Sequence, residues 1–308
     1  MNIFTNKLYI LTEQNDIYRD LIESLALPNL HLTTNKQEAD VVLAAPPLLA
    51  SQLDEFENLK WVQSVYAGVD SLMHHRMRQD YLLTNVKGIF GQQIAEYVLG
   101  YTIEHYRHFL TYRTQQQAQR WVPYQYQTLS NKTMSIVGTG TIGTHLAKVS
   151  KAFGIRTIGV NTRGIPTKDS PFDEIYHIDE LNNAIEKSDI VVSTLPSTPN
   201  TIGVFNQQVL SSGQGILIFN VGRGSSINQD DLLEALDKGY IEQAFLDVFE
   251  QEPLNIEHPY WKHPKITLTP HIAALSFPEQ VVEVFANYYK NWEKGFTIRD
   301  CINFDKGY

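Results

Sequence analysis

The chain is expected to fold as α/β, with two doubly wound parallel sheets formed one after the other. Three observations predict this. Short aliphatic or β-branched runs alternate with amphipathic runs through the first part of the chain. The alternation begins again at Thr133, and that second series opens on a glycine-rich strand-to-helix turn. Strands separated by helical segments are joined by crossovers, so they pair in parallel rather than as hairpins.

In the first series, residues 7–11, 41–45, 61–65 and 82–86 read as strands, with helical patterns around 17–27 and 69–78. A long helical pattern then covers 92–120, with Pro123 soon after it as a stop, and its Gln-rich part, 115–119, reads as a solvated face. In the second series, 133–137 is a strand, 141–153 a helix and 156–160 a strand. Buried strands follow at 190–194, 216–221, 244–248 and 266–268, and a helix at 278–294 leads into a short tail. The sequence shows no internal repeat and no low-complexity segment, which excludes a solenoid.

A chain of 308 residues has room for two domains, and 43% hydrophobic against 19% charged residues is the balance of a globular enzyme. The net charge of -9, from 25 Lys+Arg against 34 Asp+Glu, has the wrong sign for a nucleic-acid or anionic-membrane partner, so neither is expected. Local basic groups can still bind a small anion. The only cysteine is Cys301, so no intramolecular disulfide can form. The apolar run after Lys7 is too short for a signal peptide, and the run at 41–50 is broken by Pro46 and Pro47, so no membrane span is expected. A cytoplasmic setting is the expectation.

Gly138-Thr139-Gly140-Thr141-Ile142-Gly143 is a G-x-G-x-x-G fingerprint placed between an apolar strand and a helix. Its glycines permit a tight turn, and the free N–H groups at the helix start, on Thr141 and Ile142, can meet a pyrophosphate. About 20 residues further on, an acidic residue usually binds the ribose 2′-hydroxyl. Here Asn161-Thr162-Arg163 stands in that place. The missing acid and the nearby arginine favour a 2′-phosphate, hence NADP(H). NAD(H) remains possible if Arg163 is only a solvated loop residue.

Three further segments follow strands. Asn220-Val221-Gly222-Arg223-Gly224 carries an arginine, the segment from Leu246 to Pro253 carries Glu250 and Glu252, and Thr269-Pro270-His271 carries a histidine. Ligands of open parallel sheets bind outside the carboxyl ends of the strands. An arginine can pair with a carboxylate and polarise a carbonyl, a histidine can deliver a proton as hydride arrives, and a carboxylate can hold that histidine protonated. The set suits reduction of a 2-oxo acid.

In this order the segments resemble the D-isomer-specific 2-hydroxyacid dehydrogenase family, and the resemblance covers essentially the whole chain. Ser64-Val65-Tyr66-Ala67-Gly68-Val69-Asp70 resembles the family's substrate-domain loop, and Gly88 with Ala95-Glu96-Tyr97 resembles its interdomain crossing. The tail 303–308 and the Asn-Thr-Arg segment look closest to the glyoxylate/hydroxypyruvate reductase branch. The resemblance implies a Rossmann dinucleotide-binding domain at 99–284 and a discontinuous flavodoxin-like substrate domain at 1–98 with 285–308. It places the active site in the cleft between them. It implies that Arg223 is the substrate arginine, His271 the acid/base and Glu252, rather than Glu250, its partner. Asp247 would lie near the nicotinamide carboxamide, and Leu195 and Pro196 beside the adenosine half, with Val221 in the same cofactor set. Backbone N–H groups of Ala67, Gly68 and Val69 would hold the substrate carboxylate, and Tyr66, Tyr97 and Leu275 would shape the pocket. The resemblance also implies a homodimer, with the long helix after Glu96 as the contact.

Two other classes fit parts of the pattern: a dinucleotide-sensing corepressor-like binding protein, and a phosphite- or formate-type dehydrogenase. The acidic charge and the absence of extended tails argue against the first, and the reductase-like cofactor segment and tail argue against the second. Glu104, His105 and His108 fall on one face of the predicted helix, yet no H-E-x-x-H pattern or third ligand accompanies them, and no metal is expected. His74 and His75 are adjacent and would point apart on a helix.

Overall fold

The structure, a computed structural model, describes residues 5–298 and 300–305. Part of the tail at 303–308 therefore lies outside the described residues, as do residues 1–4. The chain divides into two compact units, Met1–Ile89 with Leu275–Tyr308, and Phe90–Ala274. The expected limits at 98/99 and 284/285 fall inside the helices Phe90–Tyr106 and Pro278–Glu293, whereas the units change over just before each helix begins.

The first unit is built on a five-stranded sheet of β1 (Asn6–Leu11), β2 (Leu30–Leu32), β3 (Val41–Ala44), β4 (Trp61–Ser64) and β5 (Leu82–Thr84). All pairings are parallel and the order is 2-1-3-4-5, the flavodoxin-like arrangement. Every residue of β3 and β4 is buried, as strands covered on both faces must be. Helices α1 (Asn15–Ser24) and α2 (Pro46–Ala50) belong to this unit, and so does the chain's last helix, Pro278–Glu293. That helix returns to the sheet through Val281, Val282, Phe285, Ala286 and Tyr289, all buried. Phe285 stacks on Trp61 with ring centroids 5.3 Å apart, and the Tyr289 hydroxyl donates to the Pro28 carbonyl at 2.8 Å.

The helix expected at 69–78 does not form. Asp70–Leu72 makes one 3-10 turn, and the segment ends with Arg78 clamped by Asp80 and donating to the Phe56 carbonyl at 2.9 Å. Among residues 71–80 only Leu72 is buried, so a helix there would have had no core to cover. Without a helix to separate them, the His74 and His75 rings stack 4.5 Å apart rather than pointing apart.

The second unit contains α3 (Phe90–Tyr106), α4 (Phe109–Gln117), β6 (Thr133–Val137), α5 (Thr141–Ala152), β7 (Arg156–Asn161), β8 (Glu174–His177), α6 (Leu181–Glu186), β9 (Ile190–Ser193), α7 (Gln207–Leu210), β10 (Ile216–Asn220), α8 (Gln229–Asp237), β11 (Ile241–Leu246) and β12 (Ile266–Leu268). Its seven strands pair in parallel in the order β12-β11-β10-β9-β6-β7-β8. The order reverses between β6 and β9, which is the switch point of a doubly wound Rossmann sheet.

The single long helix expected at 92–120 is broken. His108 adopts a left-handed backbone (φ 57°), separating α3 from α4. The buried stripe of α3, Ile94, Ala95, Val98, Leu99, Thr102 and Tyr106, stops at the break, and α4 buries no residue. His105 and His108 therefore do not share a face: His105 Nε2 lies 3.4 Å from Glu242, and His108 Nε2 meets the Gln125 carbonyl at 3.1 Å. Among the described residues no helix is long and apolar enough to cross a membrane.

The helix Pro278–Glu293 closes the core of the first unit through Phe285. Phe285→Ala should therefore destabilise that unit by about 3–5 kcal/mol, measured by urea unfolding with tryptophan fluorescence. A loss below about 1 kcal/mol would show that the helix is not an integral part of this core.

Candidate active site

The glycine turn joins β6 to α5. Gly138 has φ 108°, a conformation that strains any side chain, and a Cβ there would lie 2.5 Å from Thr194 Oγ1. A Cβ on Gly143 would lie 2.0 Å from the Gly138 carbonyl oxygen, so this glycine is required for the helix to pack on the turn. Gly140 differs: nothing lies within 4 Å of where its Cβ would be. Helix α5 starts there with no side-chain cap, so the N–H groups of its first turn, on Thr141, Ile142 and Gly143, face an open cradle. Such a cradle fits the pyrophosphate of a dinucleotide.

The other sequence-predicted cofactor residues lie at the same carboxyl edge. Asn161 ends β7 and Thr162 and Arg163 follow it, and the Asn161 side chain bonds both within its own loop and to Thr139 in the glycine turn. Leu195 and Pro196 follow β9, Leu195 being buried. Val221 follows β10 and donates its N–H to Ser193 at 3.1 Å.

Arg223 stands two residues beyond Val221 in a tightly held turn. Its carbonyl accepts from Asn220 Nδ2 (2.9 Å) and Ser226 Oγ (2.8 Å), and its Nη1 donates to the Gly222 carbonyl at 2.7 Å. A Cβ on Gly222 would sit 2.5 Å from the Leu195 oxygen, and one on Gly224 only 1.9 Å from the Phe249 carbonyl carbon. Both glycines are there so that neighbouring loops can touch backbone to backbone. The sequence pattern shows the arginine; it does not show that Asn220 and Ser226 fix it.

Asp247 follows β11 directly and is 2% exposed. Its Oδ1 accepts from Thr269 Oγ1 (2.6 Å) and Ile272 N (2.8 Å), and its Oδ2 from Ala273 N (2.9 Å). Its backbone carbonyl accepts the His271 N–H at 2.9 Å. Because the single proton of Thr269 is committed to Asp247, the Tyr97 hydroxyl at 2.7 Å must donate to Thr269. Burial pushes the Tyr97 phenol above its ordinary range, which keeps it a donor. Thr269 and Tyr97 thus support the loop that carries the histidine. Thr269 lies within the quoted Thr-Pro-His segment, but nothing in its spacing announces this bond.

His271 has a left-handed backbone (φ 56°), and its Nδ1 lies 2.7 Å from Glu252 Oε2. Glu252 Oε1 accepts the Phe249 N–H at 2.9 Å, which fixes the carboxylate at both oxygens. Nδ1–H is then the donor to Glu252, leaving Nε2 as the nitrogen available for proton transfer. The structure brings Glu252 and His271 together and leaves Glu250 exposed outside the pair. In the first unit, Ala67, Gly68 and Val69 follow β4. Asn85 Nδ2 donates to the Ala67 carbonyl at 2.5 Å, and the three N–H groups of the loop make no hydrogen bond within the described residues.

Residues 99–273 match the family model of the D-isomer specific 2-hydroxyacid dehydrogenase NAD binding domain. The chain belongs to this family. A family member from Aeromonas salmonicida subsp. salmonicida A449 is 38% identical over 98% of this chain and 100% of its own, with a TM-score of 0.91. One from Xanthobacter autotrophicus Py2, solved with NADPH and MES, is 25% identical over 99% of this chain and 100% of its own (TM-score 0.88). The NADPH-dependent glyoxylate/hydroxypyruvate reductase of Sinorhizobium meliloti, solved with NADP and sulfate, is also 25% identical, over the same shares of the two chains (TM-score 0.84). The chain is accordingly an NAD(P)-dependent oxidoreductase of the 2-hydroxyacid dehydrogenase type, and its second unit is the family's NAD-binding domain.

The two glycines of that domain's turn make a pair of opposite expectations. Gly143→Ala should destabilise the fold by several kcal/mol, on the order of an overpacked core. Gly140→Ala should alter stability by no more than about 1 kcal/mol, the usual span for a helix cap, while weakening dinucleotide binding. Thermal unfolding and fluorescence titration with NADPH separate the two, and equal stabilities would contradict the assigned roles.

Proposed function

We propose that the chain is a reductase of small 2-oxo acids of the glyoxylate and hydroxypyruvate type, preferring NADPH, that forms the D-2-hydroxy acid and also catalyses the reverse reaction. The observation that carries it is the Glu252–His271 pair at 2.7 Å, after β11 and β12 at the carboxyl edge of the NAD-binding sheet, with Arg223 after the next strand, β10. The neighbour from S. meliloti, at 25% identity, supports the substrate class.

A dinucleotide held at the N–H groups of Thr141, Ile142 and Gly143 would supply hydride for the carbonyl carbon. As the carbonyl electron pair moves onto oxygen, His271 Nε2 delivers the proton that completes the hydroxyl, and Glu252 stabilises the ring's charge until then. Arg223 pairs with the substrate and stabilises negative charge growing on its oxygen. The N–H groups of Ala67, Gly68 and Val69 are the proposed carboxylate receptor of the first unit. Asp247 acts by holding the His271 loop. Its side-chain oxygens are occupied by that loop, so any approach to a nicotinamide carboxamide would share them. The preference for NADPH rests on Arg163, and the proposed setting is cytoplasmic.

His271→Gln should lower kcat by about 10²–10⁴ with little change in NADPH dissociation. Glu252→Gln should also lower kcat, whereas Glu250→Gln should leave it within about twofold, on the scale of an exposed substitution. Arg223→Lys should raise KM and lower kcat together, because a point charge replaces a fork. The assay is steady-state reduction of glyoxylate and hydroxypyruvate with each cofactor. A His271→Gln enzyme with near-normal kcat would remove the proton donor.

We also propose a homodimer formed through α4 and the irregular strap after it. Phe109, Leu110, Trp121, Val122, Tyr124 and Tyr126 are exposed there, Trp121 at 97%. The strap is nonetheless held in shape, since Tyr124 N donates to Tyr112 Oη at 2.8 Å and Val122 N to Gln115 Oε1 at 3.1 Å. A fixed apolar surface of this kind marks a contact site. Light scattering should give the mass of two chains for the native protein and of one for Leu110→Asp/Trp121→Asp. A monomeric native protein would end this proposal.

A further inference from the structure

The residues between the end of β7 and residue 165 are shaped by side chains that do more than leave room for a cofactor. Asn161 Oδ1 accepts from the N–H groups of Arg163 (2.9 Å) and Gly164 (2.8 Å). Its Nδ2 donates to Thr139 Oγ1 (3.1 Å), inside the glycine turn, and more weakly to the Ile165 carbonyl (3.3 Å). Both ends of this amide are used. A carboxylate could keep the two acceptances but not the two donations.

A second brace comes from β8. His177 pairs with Asn161 in the parallel register. Its Nε2 lies 2.9 Å from the Thr162 carbonyl, which can only accept, so Nε2 carries a hydrogen and donates to it, while Nδ1 lies 3.3 Å from both the N–H and the carboxylate of Asp179. Glu180 Oε2 accepts the His177 N–H at 3.2 Å, which holds the histidine itself in place. Gly164 has φ 64° and passes so close that a Cβ would lie 3.1 Å from His177 Cβ. The Arg163 backbone is thus fixed on both sides, while its side chain is exposed and makes no hydrogen bond or ion pair among the described residues.

We propose that His177 and the Asn161 amide are positioning residues for the cofactor: they hold one loop shape that presents the Arg163 guanidinium to the 2′-phosphate. This rests on the proposed meeting of Arg163 with that phosphate. Asn161 then stands at the acid's place because the loop needs a donor and an acceptor, not only because a phosphate repels an acid. A preformed loop binds more tightly by lowering the cost of ordering Arg163 on contact.

Dissociation constants of NADPH and NADH for the full-length chain, from nicotinamide fluorescence, test this without turnover. His177→Phe keeps a ring but loses the donor; it should weaken NADPH about 5- to 15-fold, the worth of one hydrogen bond, and leave NADH within about twofold. His177→Gln, whose amide can reach the Thr162 carbonyl, should recover most of the loss. In an Arg163→Ala background, His177→Phe should add nothing further, because residues acting as one unit are not additive. Asn161→Asp should lose NADPH affinity without tightening NADH. Equal weakening of both cofactors by His177→Phe, additive losses with Arg163→Ala, or a tenfold tightening of NADH in Asn161→Asp would each overturn the proposal. If Arg163→Ala abolishes the native preference for NADPH but His177→Phe does not, only the positioning role fails. A native chain that binds both cofactors alike, with Arg163→Ala changing neither, removes the Arg163 role and the positioning role with it.

Discussion

One buried carboxylate governs the geometry around the histidine. Asp247 is almost without solvent, and an ionised group there is tolerated only if its oxygens are fully hydrogen-bonded. Its donors are Thr269, Ile272 and Ala273, all drawn from the loop around His271. Satisfying the charge therefore dictates the path of the loop, including the left-handed backbone at His271. That conformation costs a non-glycine residue on the order of 1–3 kcal/mol, which the loop's bonds to Asp247 offset. The Nδ1 that meets Glu252 is placed by a residue that does not touch it.

Glycine plays the complementary part. Gly143, Gly222 and Gly224 lie where a single methyl group would strike backbone at 2.5 Å or less. Backbone cannot move aside as a side chain can, so these positions set how closely the loops above β6, β9, β10 and β11 approach one another. Gly140 is free of that constraint, and its place at the start of α5 has a different reason. Glycines in one motif thus divide into those the fold requires and one that leaves space beside free N–H groups.

Much of this was legible in the sequence because parallel sheets obey a simple rule. Strands buried on both faces, such as β3, β4, β9 and β10, are continuous apolar runs, and whatever follows them lies at the carboxyl edge. The glycine turn, Arg223, Glu252 and His271 could be placed on that ground. The edge strands β2 and β8 could not, since His31 interrupts the first and Glu174 and His177 bound the second, whereas β12, expected as a buried strand, was legible from Ile266 and Leu268 although it is an edge strand and only partly covered. Nor could the break at His108, because Arg107-His108 contains no proline or glycine; the helix ends where its buried stripe ends, a tertiary cause. The double use of the Asn161 amide and the bracing by His177 were hidden for the same reason. They depend on β8 lying beside β7, which local pattern does not reveal.

The charge of the chain bears on how its proposed ligands are held. A net charge of -9 opposes any anion at long range, and both a 2-oxo acid and a dinucleotide are anions. At physiological ionic strength that opposition is screened beyond about 8 Å, so contact groups decide the outcome. The groups proposed to meet them are the uncapped first turn of α5, the Ala67–Val69 N–H groups, Arg163 on its braced loop, and Arg223 in its hydrogen-bonded turn. In the two arginine loops the backbone is already held by hydrogen bonds, so what remains to be ordered when an anion arrives is side chain rather than main chain. Local receptors on hydrogen-bonded loops, and not the charge of the whole chain, are thus the proposed means of holding both anions, and the bonds of Asn161 and Asn220 are what keep those loops in shape.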